Sequence, residues 1–338
     1  VSLGPVDFPT LGWQVADWIE ARLCHGPGDV QGEPIVLDDE LTNFLCHAYR
    51  VQPDTGRRVY RRACLSRAKG RAKSELAGML ACAEALGPVR FDGWNADGDP
   101  VGRPVTYPFI RCLATEEGQA GHTYENVTVM LAHAREEHGI EVDVGLTRTF
   151  IPGGGEIRPS TASSSAKDGG KETFSIADEV HLYTLPELHR MHATVRRNLA
   201  KRREAEPWML ETTTAFSPGE ASIAEELHTY VERVGLPAAL DGGLLYDYRA
   251  APPIEDWDDD EEIRAALREA YGPATEWMDM SRLLAEIRDP HADPADSARY
   301  FLNQIVASSD QWLAREAWQA CSRPDVEVEA DEHITLGF

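Results

Sequence analysis

The stretch RAKGRAKS, Arg67–Ser74, brings cations, a glycine, an amine and a hydroxyl into one short segment. A phosphate-binding loop of the form G-x-x-x-x-G-K-[ST] wraps backbone amides around phosphate oxygens. It sets a lysine on the β and γ phosphates and offers a hydroxyl to Mg2+. Lys73 and Ser74 fit that pattern, whereas Arg67 and Ala72 stand where its two glycines belong. Gly70 keeps a residue free to take positive φ, and Ala72 adds no more than a methyl group. Arg67, Lys69 and Arg71 supply cations able to contact phosphate directly. The expectation is a distorted loop of weakened nucleotide affinity.

Further along, TFSIADE is an apolar run that closes on two carboxylates, Asp178 and Glu179. In a nucleotide hydrolase an acid at a strand end holds Mg2+, and a second acid polarises the attacking water. An apolar run ending in Asp-Glu is common by chance, and so is a lone Lys-Ser. Together and in this order they support each other.

The elements around them suit that chemistry. Val59–Leu65 is β-prone, and Ser74–Leu86 carries Leu76, Met79, Leu80, Ala83 and Leu86 on one helical face. Before them, residues 1–55 read as a helical lead-in interrupted by HGPGDVQGEP. GPVRFDGWNADGDPVGRP reads as a turn-rich surface excursion. Tyr107–Ala114 predicts a strand, Gly121–His138 a helix, and Val142–Phe150 with Glu156–Thr161 two strands joined by PGGG. STASSSAKDGGK is small and polar, Pro186–Arg203 is a basic helix, and Trp208–Thr214 is a strand. Strands alternating with helices predict an α/β fold with a mostly parallel sheet. From 217 to 331 the pattern is mainly helical, interrupted by GLLYDY and the acidic linker PPIEDWDDDEE, and reads as a lid or linker subdomain.

Composition narrows the function. The formal net charge of −24, from 57 acidic against 33 basic residues, argues against a surface that coats nucleic acid uniformly. Two basic clusters stand out locally, one within Arg61–Lys73 and one within Arg190–Arg203, and each taken alone reads first as a solvated face. No apolar run approaches the roughly 20 residues that span a bilayer, and VSLGPVDFPT lacks a signal-peptide pattern, so secretion is not expected. Six cysteines without C-x-x-C spacing suit a reducing compartment, and His47, His133 and His138 lack partners at metal spacing. His181 reads as a packed or capping residue, and Trp94, Trp208 and Trp312 as core and subdomain contacts.

Lys69-Gly70-Arg71-Ala72-Lys73-Ser74 resembles the deviant phosphate loop, or Walker A motif, of the large terminase subunits of tailed bacteriophages. TFSIADEVHLY is similar to their Walker B strand, and LETTTAFSPG to their coupling motif. The likeness is greatest to terminases of actinobacterial phages and runs along nearly the whole chain. It implies an ASCE-type P-loop NTPase core at 1–216, a lid/linker at 217–331, and a motor that hydrolyses ATP to drive double-stranded DNA into a procapsid. By matched position, Lys73 would hold the phosphates and Ser74 and Asp178 the Mg2+. Glu179 would activate water, Lys69 would act within the subunit, and Thr213 and Thr214 would couple hydrolysis to movement.

The implied partners are the portal protein, the small terminase subunit and further copies forming a ring on the procapsid. The implied location is the host cytoplasm, at the portal vertex. Where the family carries an adenine-reading glutamine, the aligned residue here is Leu41, with Glu40 beside it. The arginine that the family presents to a neighbouring subunit has two candidate substitutes, Lys167 and Arg148. Residues 332–338, EHITLGF, match the opening of the family's nuclease domain, so this truncated chain is expected to cleave no DNA. A helicase-like translocase and a catalytically weak docking module remain alternatives.

Overall fold

The computed structural model describes residues 3–113, 115, 117–160 and 170–307. Lys167, Trp312, Cys321 and residues 332–338 lie outside them. In chain order the elements begin with α1 (Gly12–Arg22), α2 (Asp39–Ala48), β1 (Arg62–Ser66) and α3 (Lys73–Leu86). A hairpin, β2 (Arg90–Trp94) and β3 (Pro100–Arg103), precedes β4 (Phe109–Leu113) and α4 (Glu117–His138). Then come β5 (Asp143–Val144), β6 (Thr149–Phe150), β7 (Glu156–Ser160), β8 (Phe174–Ala177), α5 (Pro186–Asn198) and β9 (Trp208–Thr213). The chain continues through α6 (Ile223–Val234), α7 (Leu236–Asp241), β10 (Leu244–Tyr248), α8 (Asp260–Tyr271), α9 (Met280–Ile287) and α10 (Pro294–Leu302).

Eight strands form one sheet in the order β10-β1-β9-β8-β4-β7-β6-β5. The first six in that order run parallel, and β6 and β5 turn antiparallel at the edge. The parallel strands are covered on both faces, so β8 and β9 are buried along their whole length and lack polar alternation. Ala63, Leu65, Ile110, Phe174, Ile176 and Leu210 face a core shared with α1 to α4. Cys64, Leu113, Ala177 and Met209 face the opposite core, built from α5, α6 and α7. A third core joins α8, α9 and α10, and it includes Ala68 from the segment after β1.

This layout positions the chemistry. Because β1, β9 and β8 are parallel neighbours, Ser66, Thr213 and Ala177 all end at the same edge of the sheet. Open α/β sheets bind ligands at that edge.

The segment expected from 217 as a lid or linker contributes a strand to the main sheet. GLLYDY supplies β10, which pairs with β1 from Arg62↔Leu244 to Ser66↔Tyr248, and α6 and α7 pack on the sheet. The helical lid therefore begins after β10, because an unpaired β1 edge would leave a row of backbone donors and acceptors without partners. The turn-rich excursion is also more regular than expected, forming the β2–β3 hairpin. Trp208 is fully buried, whereas Trp94 is 41% exposed and not a core residue.

Glu211 lies at the centre of β9 with no solvent exposure. Arg62 Nη2 approaches its Oε1 at 2.5 Å, and His192 Nε2 lies 2.7 Å from the same oxygen. Burial alone would raise the carboxyl pKa, but the Arg62 charge and the His192 hydrogen bond hold it down at about 2. A folded-state pKa below the ordinary 4.5 adds stability that is fully present above pH 4.5 and is lost as pH falls through about 2. Glu211→Gln is therefore expected to cost about 3 kcal/mol in urea unfolding at neutral pH. The deficit should shrink steadily between those two pH values. A deficit that does not change with pH would disprove the charge assignment.

Candidate active site

After β1 the chain is gripped from both sides. Arg67 N–H donates to Thr213 O at 3.1 Å, and Lys69 N–H donates to Tyr300 O on α10 at 2.7 Å. The Tyr271 hydroxyl of α8 donates to Lys69 O at 2.8 Å. Gly70 has φ +86°, a conformation that favours glycine, while a Cβ there would meet only the movable end of the Met278 side chain, Cε at 2.6 Å. Ala72 takes the left-handed conformation at φ 51°, ψ 26°, and α3 starts at Lys73 without a side-chain cap. The first amides of a 14-residue helix thus face the loop's concave side, where an anion is favoured.

Lys73 is 5% exposed. Its Nζ donates to Arg67 O and Ala68 O, both at 3.1 Å, and to Thr214 Oγ1 at 3.0 Å. Burial lowers its pKa, opposed by the nearby charges of Glu179 and Asp178. The amine and the acid pair predicted from sequence therefore share one locality.

The consecutive threonines at the end of β9 divide the site among themselves. Thr212 donates its hydroxyl to Asp178 Oδ1, and Thr123 on α4 donates to Asp178 Oδ2 at 3.0 Å. Thr213 Oγ1 accepts the His181 N–H at 3.1 Å, and Thr214 receives the Lys73 ammonium. Glu179 sits at φ 55°, left-handed like Ala72. Its Oε2 lies 3.2 Å from His181 Nδ1 but receives no directed hydrogen bond from the described residues. Burial, together with Lys73, Arg299 and Lys69, drives the His181 pKa down to about 3, so that ring is neutral at pH 7 and no ion pair forms. Burial also raises the Glu179 pKa against the pull of Lys73. A strained backbone and an underbonded carboxylate are features that cluster at catalytic sites.

The arginines depart from expectation. Arg67 Nε binds Glu40 Oε1 at 2.5 Å and its Nη2 binds Asp247 Oδ2 at 2.6 Å. Arg71 Nη2 binds Glu40 Oε2 at 2.9 Å, and Arg249 Nη1 reaches the same oxygen at 2.6 Å. Arg67 and Arg71 are thus buried against carboxylates and do not face the loop's concave side as free cations. Exposed Lys69 has its Nζ 5.4 Å from the Tyr300 ring centroid. Glu40 is committed to three arginines and Leu41 N–H to Asp38, so neither offers the amide of the expected adenine reader. A cavity of about 570 Å3, lined by Trp13, Glu40, Asn43, Arg67 and Arg249 among others, opens on the α2 side. Arg148 lies far along the sheet, between β5 and β6, paired with Glu156 at 3.2 Å.

Asp178 and the half-buried Ser74 are hard oxygen donors, and the hydroxyls of Thr123 and Thr212 orient the Asp178 carboxylate. That donor chemistry suits Mg2+, which prefers few protein ligands and phosphate oxygens.

No family model matches the chain. The Gene 13 protein of Mycobacterium phage L5 is 27% identical across 97% of this chain and 63% of its own length. Its counterpart in Mycobacterium phage D29 is 26% identical with the same coverage. The chain therefore spans less than two thirds of these relatives. The crystal structure of the HK97 bacteriophage large terminase matches with a TM-score of 0.66 at 19% identity, covering 92% of this chain and 59% of that one. The fold is that of the phage large terminases. Within the terminase fold, β9 stands between the loop strand β1 and the acid strand β8, which is why its threonines reach both. Thr123, Thr212, Glu40 and Asp247 were not singled out as site residues from sequence. The run of three threonines in LETTTAFSPG was the one available signal, and it pointed at its last two members.

Two expectations follow from the loop. Left-handed alanine costs about 1–2 kcal/mol, and glycine's extra unfolded freedom returns about 0.4–1 kcal/mol of that. Ala72→Gly should therefore leave urea stability unchanged or raise it by up to about 1.5 kcal/mol. A clear loss would mean that the methyl group packs. Glu40→Gln strips the charge facing Arg67, Arg71 and Arg249 and should lower stability by about 3 kcal/mol, whereas a neutral result would show these arginines to be solvated.

Proposed function

We propose that this chain is the Mg2+-dependent ATPase of a viral DNA-packaging motor. The observation that carries the reading is the convergence of three elements at one sheet edge. The uncapped start of α3 and its buried Lys73, the Asp178-Glu179 pair, and the β9 threonines meet there. Lys73 holds the β and γ phosphates, exchanging loop carbonyls for phosphate oxygens as nucleotide enters. Asp178 and Ser74 hold Mg2+, which when bound neutralises charge developing on the phosphates. Glu179, with its raised pKa and an unengaged oxygen, takes the proton of the attacking water. Lys69 approaches the phosphates from the same subunit. Thr213 and Thr214 report the state of the site to β9, since Thr214 already shares the Lys73 ammonium.

In the assembled motor, copies of the chain form a ring at the portal of the procapsid, in the host cytoplasm, together with the small terminase subunit. A neighbour's Arg148 or Lys167 completes the site. Double-stranded DNA is the translocated partner, gripped through its phosphates with little sequence preference.

ATP turnover measured against protein concentration tests this. Wild-type chain should hydrolyse Mg-ATP with a rate per subunit that rises as rings form. Glu179→Gln should bind Mg-ATP normally and lose about 100-fold or more in turnover. Equal turnover in both proteins would remove the site, and absent nucleotide binding would leave a docking module.

A further inference from the structure

Tyr300, on α10, touches the site in two ways. Its carbonyl accepts the Lys69 N–H at 2.7 Å, and its ring lies beneath the Lys69 ammonium, 5.4 Å from the centroid. The same ring meets His181 edge to face, with centroids 6.4 Å apart and planes at 68°. His181 Nδ1 in turn lies 3.2 Å from Glu179 Oε2 and 3.3 Å from Thr213 Oγ1. One side chain, Tyr300, therefore contacts the loop cation directly, and the Glu179 carboxylate through a single ring.

The end of α10 is anchored to the sheet immediately after Tyr300. Asn303, fully buried and left-handed, accepts the Ala215 N–H at 2.7 Å and donates to Ser66 Oγ at 3.1 Å and to Arg249 O at 2.7 Å. These partners lie just past the ends of β9 and β10 and at the end of β1, so the seat of α10 is registered against all three strands. The lid helices pack on one another and on Ala68 of the loop, so they move the loop if they move at all.

We propose that Tyr300 and His181 are a positioning pair through which the seat of the lid sets the placement of Lys69 and Glu179, so that the lid governs hydrolysis more than nucleotide binding. This rests on the ATPase reading above. Asp178 is held by Thr212 of β9 and Thr123 of α4, and Lys73 by Thr214 as well as by the loop carbonyls, so neither anchor runs through the Tyr300 or His181 side chain. Among the described residues Glu179 Oε2 receives no directed hydrogen bond, and His181 Nδ1, 3.2 Å away, is the neighbour that limits where it can swing. Misplacing a catalytic group by about 1 Å costs on the order of 100-fold in rate.

The test is steady-state turnover and equilibrium Mg-ATP binding of the 338-residue chain, each variant first checked for a native melting transition. Tyr300→Ala and His181→Ala should each lower kcat about 10- to 100-fold while KM and the Kd for Mg-ATP stay within about threefold. Tyr300→Phe, which keeps the ring, should restore most of the loss, and His181→Asn part of it. The double alanine variant should lose little more than the worse single one, because both act along one path. A raised KM at unchanged kcat, or losses that multiply, would overturn the pairing. Wild-type turnover that needs Glu179 but ignores all Tyr300 and His181 variants would sink this inference and spare the ATPase reading. A wild-type chain with no turnover at any concentration would sink both.

Discussion

A buried ammonium ion organises this molecule. Lys73 sits almost out of solvent, and a charge there is tolerated because two loop carbonyls and the Thr214 hydroxyl take its protons while two carboxylates lie nearby. Those contacts tie the segment after β1 to the end of β9, and so couple loop shape to sheet register. They also leave the amine with neutral acceptors that a phosphate can displace. Without the ammonium, the Arg67 carbonyl would lose this donor in a dry place, and the Ala68 carbonyl would be left with the Arg71 N–H at 3.4 Å.

Other buried charges serve the same architecture at different points. Glu40 and Asp247 gather Arg67, Arg71 and Arg249 into a network behind the loop, which holds it in a shape that glycine would otherwise allow but not enforce. Glu84 on α3 accepts from Arg90, Tyr49 and Trp208, while Arg58 lies 4.5 Å from both the Tyr49 and Trp208 rings. Together with Glu211, these are charges whose desolvation is offset by several directed partners each. Breaking any one leaves an uncompensated ion inside, so they reward a single arrangement of strands and helices.

Two of the left-handed residues that carry a Cβ stand at the candidate site. Ala72 opens α3 and Glu179 closes β8, and both take a left-handed conformation that costs a residue with a Cβ. Ala72 turns the loop into α3, and Glu179 turns the chain just past the end of β8. The surrounding threonines and the lid supply the contacts that hold these turns.

Much of the working surface was legible in the residues themselves. The apolar runs Val59–Leu65 and TFSIADE, the Lys73-Ser74 pair at a helix start and the Asp178-Glu179 ending each follow from near-neighbour chemistry; each has its element, with the first strand displaced to Arg62–Ser66. Partner choice was not legible, because a charge pairs with whatever lies closest in space. Arg67 meets Asp247 from 180 residues away and Glu40 from 27, which turned an expected phosphate ligand into a structural ion pair. β10 returned to the sheet from beyond the expected boundary because β1 needed a second neighbour, a demand that arises only once the sheet exists. Sequence alone determined which charged and hydroxyl groups sit at the strand ends and the helix start; packing across strands decided which of them are paired with buried carboxylates.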